Sequence, residues 1–258
     1  MHIMLAIGSG SLVGFTLGLI GGGGSILAVP LLVYVVGVAD PHRAIGTSAL
    51  AVAVNAFANV WPHARSGHVR WKQVSVFAAS GVIGAYGGSA LGKAVDGQRL
   101  LALFAVLMLV IAALMQRRRR AVSSEDGHLS PTAVLRLAGV GIATGALAGF
   151  FGIGGGFLIV PGLILAANLS TLHAIGSSLV AVGSFGLTTA VNYAMSGLVD
   201  WRIATLFIAG GVAGGWAGAS LAHRLSHGRE TLNRLFGAVL VIVAVYMLAH
   251  SVGWLPTR

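Results

Sequence analysis

The chain has 258 residues, 56% hydrophobic and 9% charged, with a mean hydropathy of +0.90 and a formal net charge of +10. A water-soluble domain carries roughly 25% charged residues, so no sizeable soluble domain fits inside this chain. The absence of cysteine excludes disulfides, thiolate chemistry and cysteine-held metals.

Ten apolar segments follow one another at 3–20, 25–38, 44–61, 73–92, 100–116, 132–151, 157–169, 174–195, 203–222 and 232–252. Most approach the ~20 residues needed to cross a ~30 Å hydrocarbon core. The first lacks the basic start and cleavage pattern of a secretory signal, so it is expected to stay in the mature protein. Arg117-Arg118-Arg119-Arg120 and the polar stretch up to Pro131 form the one clear break. This divides the chain into a first transmembrane repeat at 1–116, a basic cytoplasmic linker at 117–131 and a second repeat at 132–258. The remaining basic residues sit in short loops between apolar runs, where membrane-anchoring charge belongs. A nucleic-acid partner is thereby disfavoured, and the partner is a lipid bilayer.

The halves resemble each other in order along their length. Gly14 to Ser25 and Pro30 return as Gly145 to Gly156 and Pro161. Ala44-Ile45-Gly46-Thr47-Ser48 returns as Ala174-Ile175-Gly176-Ser177-Ser178, and Ser66-Gly67-His68-Val69-Arg70-Trp71 as Ser196-Gly197-Leu198-Val199-Asp200-Trp201. Glycines at helical spacing (Gly10, Gly14, Gly18; Gly141, Gly145, Gly149; Gly84, Gly88, Gly92; Gly210, Gly214, Gly218) predict close-packed helix seams. Glycine faces left over would suit a homodimer.

Topology has two readings. If 3–38 crosses once, there are eight crossings and the repeats are parallel; if 25–38 and 157–169 cross separately, there are ten and the repeats are inverted. Arg65, Arg70 and Lys72 outweigh Lys93 and Arg99 in the first half, whereas Arg224, Arg229 and Arg234 outweigh Arg202 in the second. This swap of bias favours inversion, with both termini outside. The expected fold is thus an all-α polytopic membrane protein of two five-segment repeats, each with one short glycine-broken segment.

The breaks themselves are Gly21-Gly22-Gly23-Gly24-Ser25 and Gly152-Ile153-Gly154-Gly155-Gly156. Neither ends in the Lys-Ser/Thr of a phosphate-binding loop. Each glycine costs ~1 kcal/mol relative to alanine in a helix, so both runs are expected to unwind. Unwound backbone at membrane depth is tolerated where it is buried in protein or lines a cavity. Short interrupted segments at matching places in two halves mark the binding site of a secondary transporter. The helix starts after them aim free N–H groups and a positive dipole end into the break, which suits a small anion. Ser25 is placed to cap its helix or face that anion.

The six acidic residues, Asp40, Asp96, Glu125, Asp126, Asp200 and Glu230, all fall in or beside loops, leaving no mid-membrane carboxylate to repel it. Ser48, Asn55 and Asn59 share one helical face; Ser177, Ser184, Thr188 and Asn192 share another. Both stripes can serve either the anion or interhelical hydrogen bonding. His42 and His173 occupy matching places and carry no companion ligands, so a proton role suits them better than a metal. Trp71 and Trp201 belong at the water–lipid boundary. No cofactor motif and no nucleophile–base pattern can be assembled, so the chain is not read as an enzyme.

These motifs, GLIGGGGSILAVPLL and GFFGIGGGFLIVPGL, each followed by Ala-Ile-Gly-Thr/Ser-Ser, resemble the sulfite exporter TauE/SafE family of sulfonate permeases over essentially the whole chain. The resemblance implies transport of small sulfur-containing anions such as sulfite, sulfonates or sulfoacetate across the bacterial inner membrane. With no ATPase motif, a gradient would drive it by alternating access. A passive anion channel and a non-transporting scaffold or sensor are the alternatives.

Overall fold

The computed structural model describes residues 2–116, 130–224 and 229–251. Most of the basic linker, residues 117–129, lies outside the described residues. All regular elements among those described are helical: α1 His2–Ile20, α2 Gly21–Val36, α3 Pro41–Arg65, α4 Trp71–Ala94, α5 Gly97–Gln116, α6 Pro131–Phe151, α7 Gly156–Ala167, α8 Thr171–Ala194, α9 Trp201–Arg224 and α10 Arg229–Ser251. Five of them are long and apolar enough to cross a membrane.

Local chemistry sets the boundaries. Asp40 accepts the His42 N–H at 2.9 Å with Pro41 at the first helical position of α3, and Ser130 accepts the Ala133 N–H at 3.2 Å with Pro131 opening α6. Such caps satisfy amides that a helix start leaves unpaired. Gly67 and Gly197, with φ of 72° and 70°, turn the chain after α3 and α8, and the next amides bond back to His63 and Tyr193, each at 3.0 Å. Glycine takes that left-handed conformation without steric penalty.

Helix packing is governed by the glycine stripes. Gly10, Gly14 and Gly18 of α1 meet Phe207, Gly211 and Gly215 of α9 in register, so these two helices run the same way. Gly84, Gly88 and Gly92 of α4 meet Ile142, Ala146 and Phe150 of α6 in the same manner. A Cβ at Gly14 would sit 2.6 Å from the Gly211 Cα, and one at Gly88 would sit 2.8 Å from the Ala146 carbonyl carbon. Backbones this close leave no room for any side chain, which is how helices gain contact in lipid without a hydrophobic driving force.

At the centre α3 and α8 cross antiparallel: Gly46 lies against Tyr193, and Gly186 against Ala49 and Ala53. Asn55 and Asn59 of α3 rest on Gly211 and Gly215 of α9, so α3 runs with α9 and therefore with α1. Gly81 of α4 faces Phe185 and Lys93 reaches Asn192, so α4, α8 and α6 share the other direction. Because α1 and α3 point the same way, α2 must carry the chain back between them; α7 does the same between α6 and α8. Helices α5 and α10 pair with each other on the flank.

One expectation is corrected. The run from Gly21 is not unwound: Gly21–Leu27 winds as a tight 3-10 helix, Ala28–Pro30 as a single α turn and Leu31–Val36 as a π turn. Only Gly21 takes a positive φ (78°). The Ser25 hydroxyl donates to the Gly22 carbonyl at 2.8 Å, and Gly24 lies directly on Thr16 and Leu17 of α1, so bare backbone packing holds the tight turn. In the second half Gly152, Gly154 and Gly155 all take a left-handed φ of 66–67°, and the chain there is unwound.

Candidate functional site at the two glycine breaks

Alpha-helix α6 ends on a left-handed Gly152, with the Ile153 N–H returning to the Ala148 carbonyl at 3.2 Å and the Gly152 N–H to the Gly149 carbonyl at 3.3 Å. This closure satisfies the last carbonyls of the helix. The chain then reverses through Gly154 and Gly155, and α7 starts from Gly155 with no side-chain cap. In the first half Gly21 reverses the chain out of α1 and the 3-10 turn follows at once.

The two breaks meet. Gly22 packs on Gly156, where a Cβ at Gly22 would fall 2.9 Å from the Gly156 carbonyl carbon and 2.7 Å from Val182 Cγ2. A Cβ at Gly154 would lie 3.0 Å from Val182 and 3.2 Å from Val52. Val52 and Val182 stand near the midpoints of α3 and α8, so the junction sits halfway through the bundle. All of Gly21–Leu27 is buried, as are Gly152, Ile153, Gly154, Gly155 and Gly156.

Each break is clasped by the long helix of the other half. The Ser48 hydroxyl of α3 donates to the Ile45 carbonyl at 2.8 Å and reaches the Gly152 carbonyl at 3.2 Å. The Ser178 hydroxyl of α8 donates to the Ile175 carbonyl at 2.7 Å and accepts from the Gly22 N–H at 3.4 Å. Ile45 lies over Gly152, and Ile175 lies over Gly21. The loops follow the same exchange: the Asp200 N–H donates to Thr47 Oγ1, and the Arg70 N–H donates to Ser177 Oγ, each at 2.9 Å. Thr47 and Ser178 were not singled out from sequence; their places in Ala-Ile-Gly-Thr/Ser-Ser beside Ser48 and Ser177 were the available signal.

The two polar stripes divide. Ser48 touches a break, and Asn55 and Asn59 continue its face by one and two turns beyond Val52. Asn59 Nδ2 donates to the Asn55 backbone carbonyl at 2.8 Å, while both side-chain atoms of Asn55 and the Oδ1 of Asn59 are buried without a hydrogen-bond partner. On α8, Ser177 is tied to the α4 start, and half-buried Ser184 and Thr188 bond back to the Val180 and Ser184 carbonyls at 2.9 and 2.8 Å. Asn192 is drawn to the bundle end: Lys93 Nζ donates to its Oδ1 at 2.8 Å and its backbone carbonyl at 3.1 Å, and its Nδ2 donates to Ser89 at 2.6 Å. The second stripe is therefore not brought to the junction as a unit.

Among the residues whose side chains are described no Asp, Glu, Lys or Arg is buried, and no group of three or more His, Cys, Asp or Glu among the described residues is arranged for a metal ion. His42 and His173 lie at opposite ends of the bundle. His42 faces Tyr193, with ring centroids 6.3 Å apart. His173 joins His68 at 6.3 Å, and His68 joins His63 at 6.2 Å. That second imidazole group was missed in the sequence because its members come from the end of α3, the following turn and the start of α8.

Helices of spanning length, lipid-suited glycine seams and a polar break at mid-depth define a multi-pass membrane protein of the transporter type. Residues 6–247 match the family model described as "Sulfite exporter TauE/SafE", and the chain belongs to that family. It is 54% identical to a "Probable membrane transporter protein" of Xylella fastidiosa (strain Temecula1 / ATCC 700964), over 96% of both chains. It is 27% identical to the "Probable membrane transporter protein YdhB" of Bacillus subtilis (strain 168), covering 82% of this chain and 87% of that one. It is 30% identical to the "Probable membrane transporter protein MJ0441" of Methanocaldococcus jannaschii, over 60% of each. No solved structure matches the chain. The family and these relatives are membrane transporters rather than enzymes, and in a bacterium such a chain resides in the inner membrane.

Proposed function

We propose that this chain is a secondary carrier for a small sulfur-containing anion of the sulfite, sulfonate or sulfoacetate type, working by alternating access. The observation that carries the reading is the meeting of Gly22 and Gly156 at the middle of the bundle. Helix α7 starts there, and the amide end of α2 starts beside it. An α-helix N-terminus acts as roughly +0.5 charge, so the junction favours a single negative charge without a cationic side chain. The lack of any buried carboxylate among the described residues fits the same guest.

The carrier is built as two inverted repeats. Supporting this, sequence-equivalent helices α1 and α6 run oppositely, as do α3 and α8, and the contacts of Ser48 with Gly152 and Ser178 with Gly22 are reciprocal. In that arrangement Arg65, Arg70 and Lys72 lie inside, while Asp40, Asp96 and Asp200 lie outside, in keeping with cytoplasmic positive charge. The breaks close on each other in this conformation, so the anion is admitted when one element rocks or slides against another.

Reconstitution in liposomes tests the reading. Sulfite, methanesulfonate, sulfoacetate and acetate are offered with and without a pH gradient, and uptake is followed with and without the same anion preloaded. Uptake of a sulfur anion accelerated by preloading supports a carrier; uptake at channel rates without such acceleration, or no uptake of any sulfur anion, contradicts it.

A further inference from the structure

Asn55 and Asn59 break the likeness between the halves. Their sequence equivalents on α8 are Phe185 and Thr189. Phe185 lies against Gly81 as Asn55 lies against Gly211, and the Thr189 hydroxyl is satisfied by the Phe185 carbonyl at 2.9 Å. One half thus presents an apolar ring and a paired hydroxyl where the other presents two fully buried carboxamides. Burying an amide group without a hydrogen bond costs roughly 1–3 kcal/mol, so such a pair calls for a ligand or water that this closed conformation encloses.

The open valences identify the chemistry of that ligand. Asn59 Nδ2 is fixed as a donor because it bonds a backbone carbonyl, which leaves its Oδ1 as an unpaired acceptor. Asn55 adds a second unpaired acceptor and one unpaired NH₂ donor. Two acceptors repel the oxygens of a fully deprotonated anion; they are filled by a ligand that brings an O–H of its own. The surroundings point the same way, since no Lys or Arg is buried among the described residues and the desolvation cost of an ion grows with the square of its charge, roughly fourfold from one charge to two.

Resting on the anion-carrier reading above, we infer that the chain takes its anion in the singly protonated form, the O–H donated to the Asn55 and Asn59 carbonyls and another oxygen accepting from Asn55 Nδ2. There is one such subsite per chain, on the α3–α9 side. The ionisable residue nearest the amides is His63, one turn beyond Asn59 on α3 and grouped with His68 and His173. The others on α1, α3 and α9 (His2, His42, Arg43, Arg65, Arg202, His223 and Arg224) lie near the helix ends. A His63→Gln variant is therefore carried through the same pH series, to separate protonation of the anion from protonation of an imidazole.

The test is sulfite uptake by the intact chain in liposomes, with equal pH on both sides, over a series spanning the second ionisation of sulfite. Leak in protein-free liposomes is subtracted, and methanesulfonate, an anion without an O–H, is measured alongside. The inference predicts an initial rate that follows the concentration of hydrogen sulfite, methanesulfonate at least tenfold slower, and a loss of at least tenfold in sulfite rate on Asn55→Leu, a substitution of similar volume. The wild-type comparison of sulfite with methanesulfonate, together with the same pH dependence in His63→Gln, decides the matter even if the Asn55 variant fails to fold. Loss of the pH dependence in His63→Gln overturns the inference. A rate that follows the sulfite dianion or ignores pH, or methanesulfonate carried as fast as sulfite, overturns the inference and leaves the carrier reading standing. Absence of uptake of both anions by the wild type overturns the inference, and absence of sulfoacetate uptake as well overturns the carrier reading with it.

Discussion

Ser48 of α3 and Ser178 of α8 hold each other's halves: the first reaches the Gly152 carbonyl at 3.2 Å, and the second receives the Gly22 amide at 3.4 Å. Both hydroxyls also bond back within their own helices, to the Ile45 and Ile175 carbonyls. Each hydroxyl thus couples one long crossing helix to the glycine break of the opposite half. A movement that parts either break from the long helix clasping it has to break one of these couplings.

Replacing either hydroxyl removes a buried hydrogen bond worth ~1 kcal/mol. Ser48→Ala and Ser178→Ala are each expected to change transport by a few-fold, in the same direction and by similar amounts. The double variant should fall clearly below both. Initial uptake rates in liposomes check this; unequal effects, with one variant like wild type, would show that the reciprocal contacts are not mechanistically paired.

The glycine seams give a prediction within a single helix. Gly88 lies on the Ala146 backbone, whereas a Cβ at Gly87 meets nothing within 4 Å. Gly88→Leu forces α4 and α6 apart and is expected to lower thermal stability in detergent steeply or to abolish folded protein. Gly87→Leu faces lipid and should be tolerated. Comparable melting curves for the two would refute the seam.

Inversion is open to direct labelling because the chain has no cysteine of its own. Ser66 and Ser196 are sequence equivalents, both exposed in the tight turns after α3 and α8. In intact cells, Ser196→Cys should react with an impermeant maleimide, while Ser66→Cys should react only after lysis. Labelling of both from one side would refute inverted repeats.

Asn192 sits in a bundle-end network with Lys93 and Ser89, and its backbone carbonyl near the end of α8 also receives the Lys93 ammonium. Asn192→Ala should reduce thermal stability by ~1–2 kcal/mol while leaving the half-saturating anion concentration within about twofold of wild type. A tenfold rise in that concentration with unchanged stability would instead place Asn192 in the binding site.

Much of this fold was legible in the chain. Composition implied membrane spans, and the glycine stripes at Gly10, Gly14 and Gly18 and their counterparts gave the seams, because a three-to-four-residue spacing of small side chains has one physical use in lipid. What sequence could not supply was the partner of each feature. Gly21-Gly22-Gly23-Gly24 was expected to unwind on intrinsic propensity, but Thr16, Leu17 and Ser25 hold it in a 3-10 turn. Ser177 and Asn192 lie on one helical face with Ser184 and Thr188, yet neighbours from α4 pull the two ends of that stripe to opposite rims. The isolation of the Asn55 amide depends on Gly211, which is remote in sequence.

The junction of the breaks is probed most directly by Gly154→Leu, compared with the lipid-facing Gly87→Leu. At Gly154 the φ of 66° disfavours any side chain, and Val52 and Val182 already fill the space around it. Preloaded liposomes should show sulfur-anion exchange with wild type and with Gly87→Leu, and at least a tenfold loss with Gly154→Leu although that variant is inserted in the membrane. Exchange at the full wild-type rate by Gly154→Leu would contradict a transport site at the two glycine breaks.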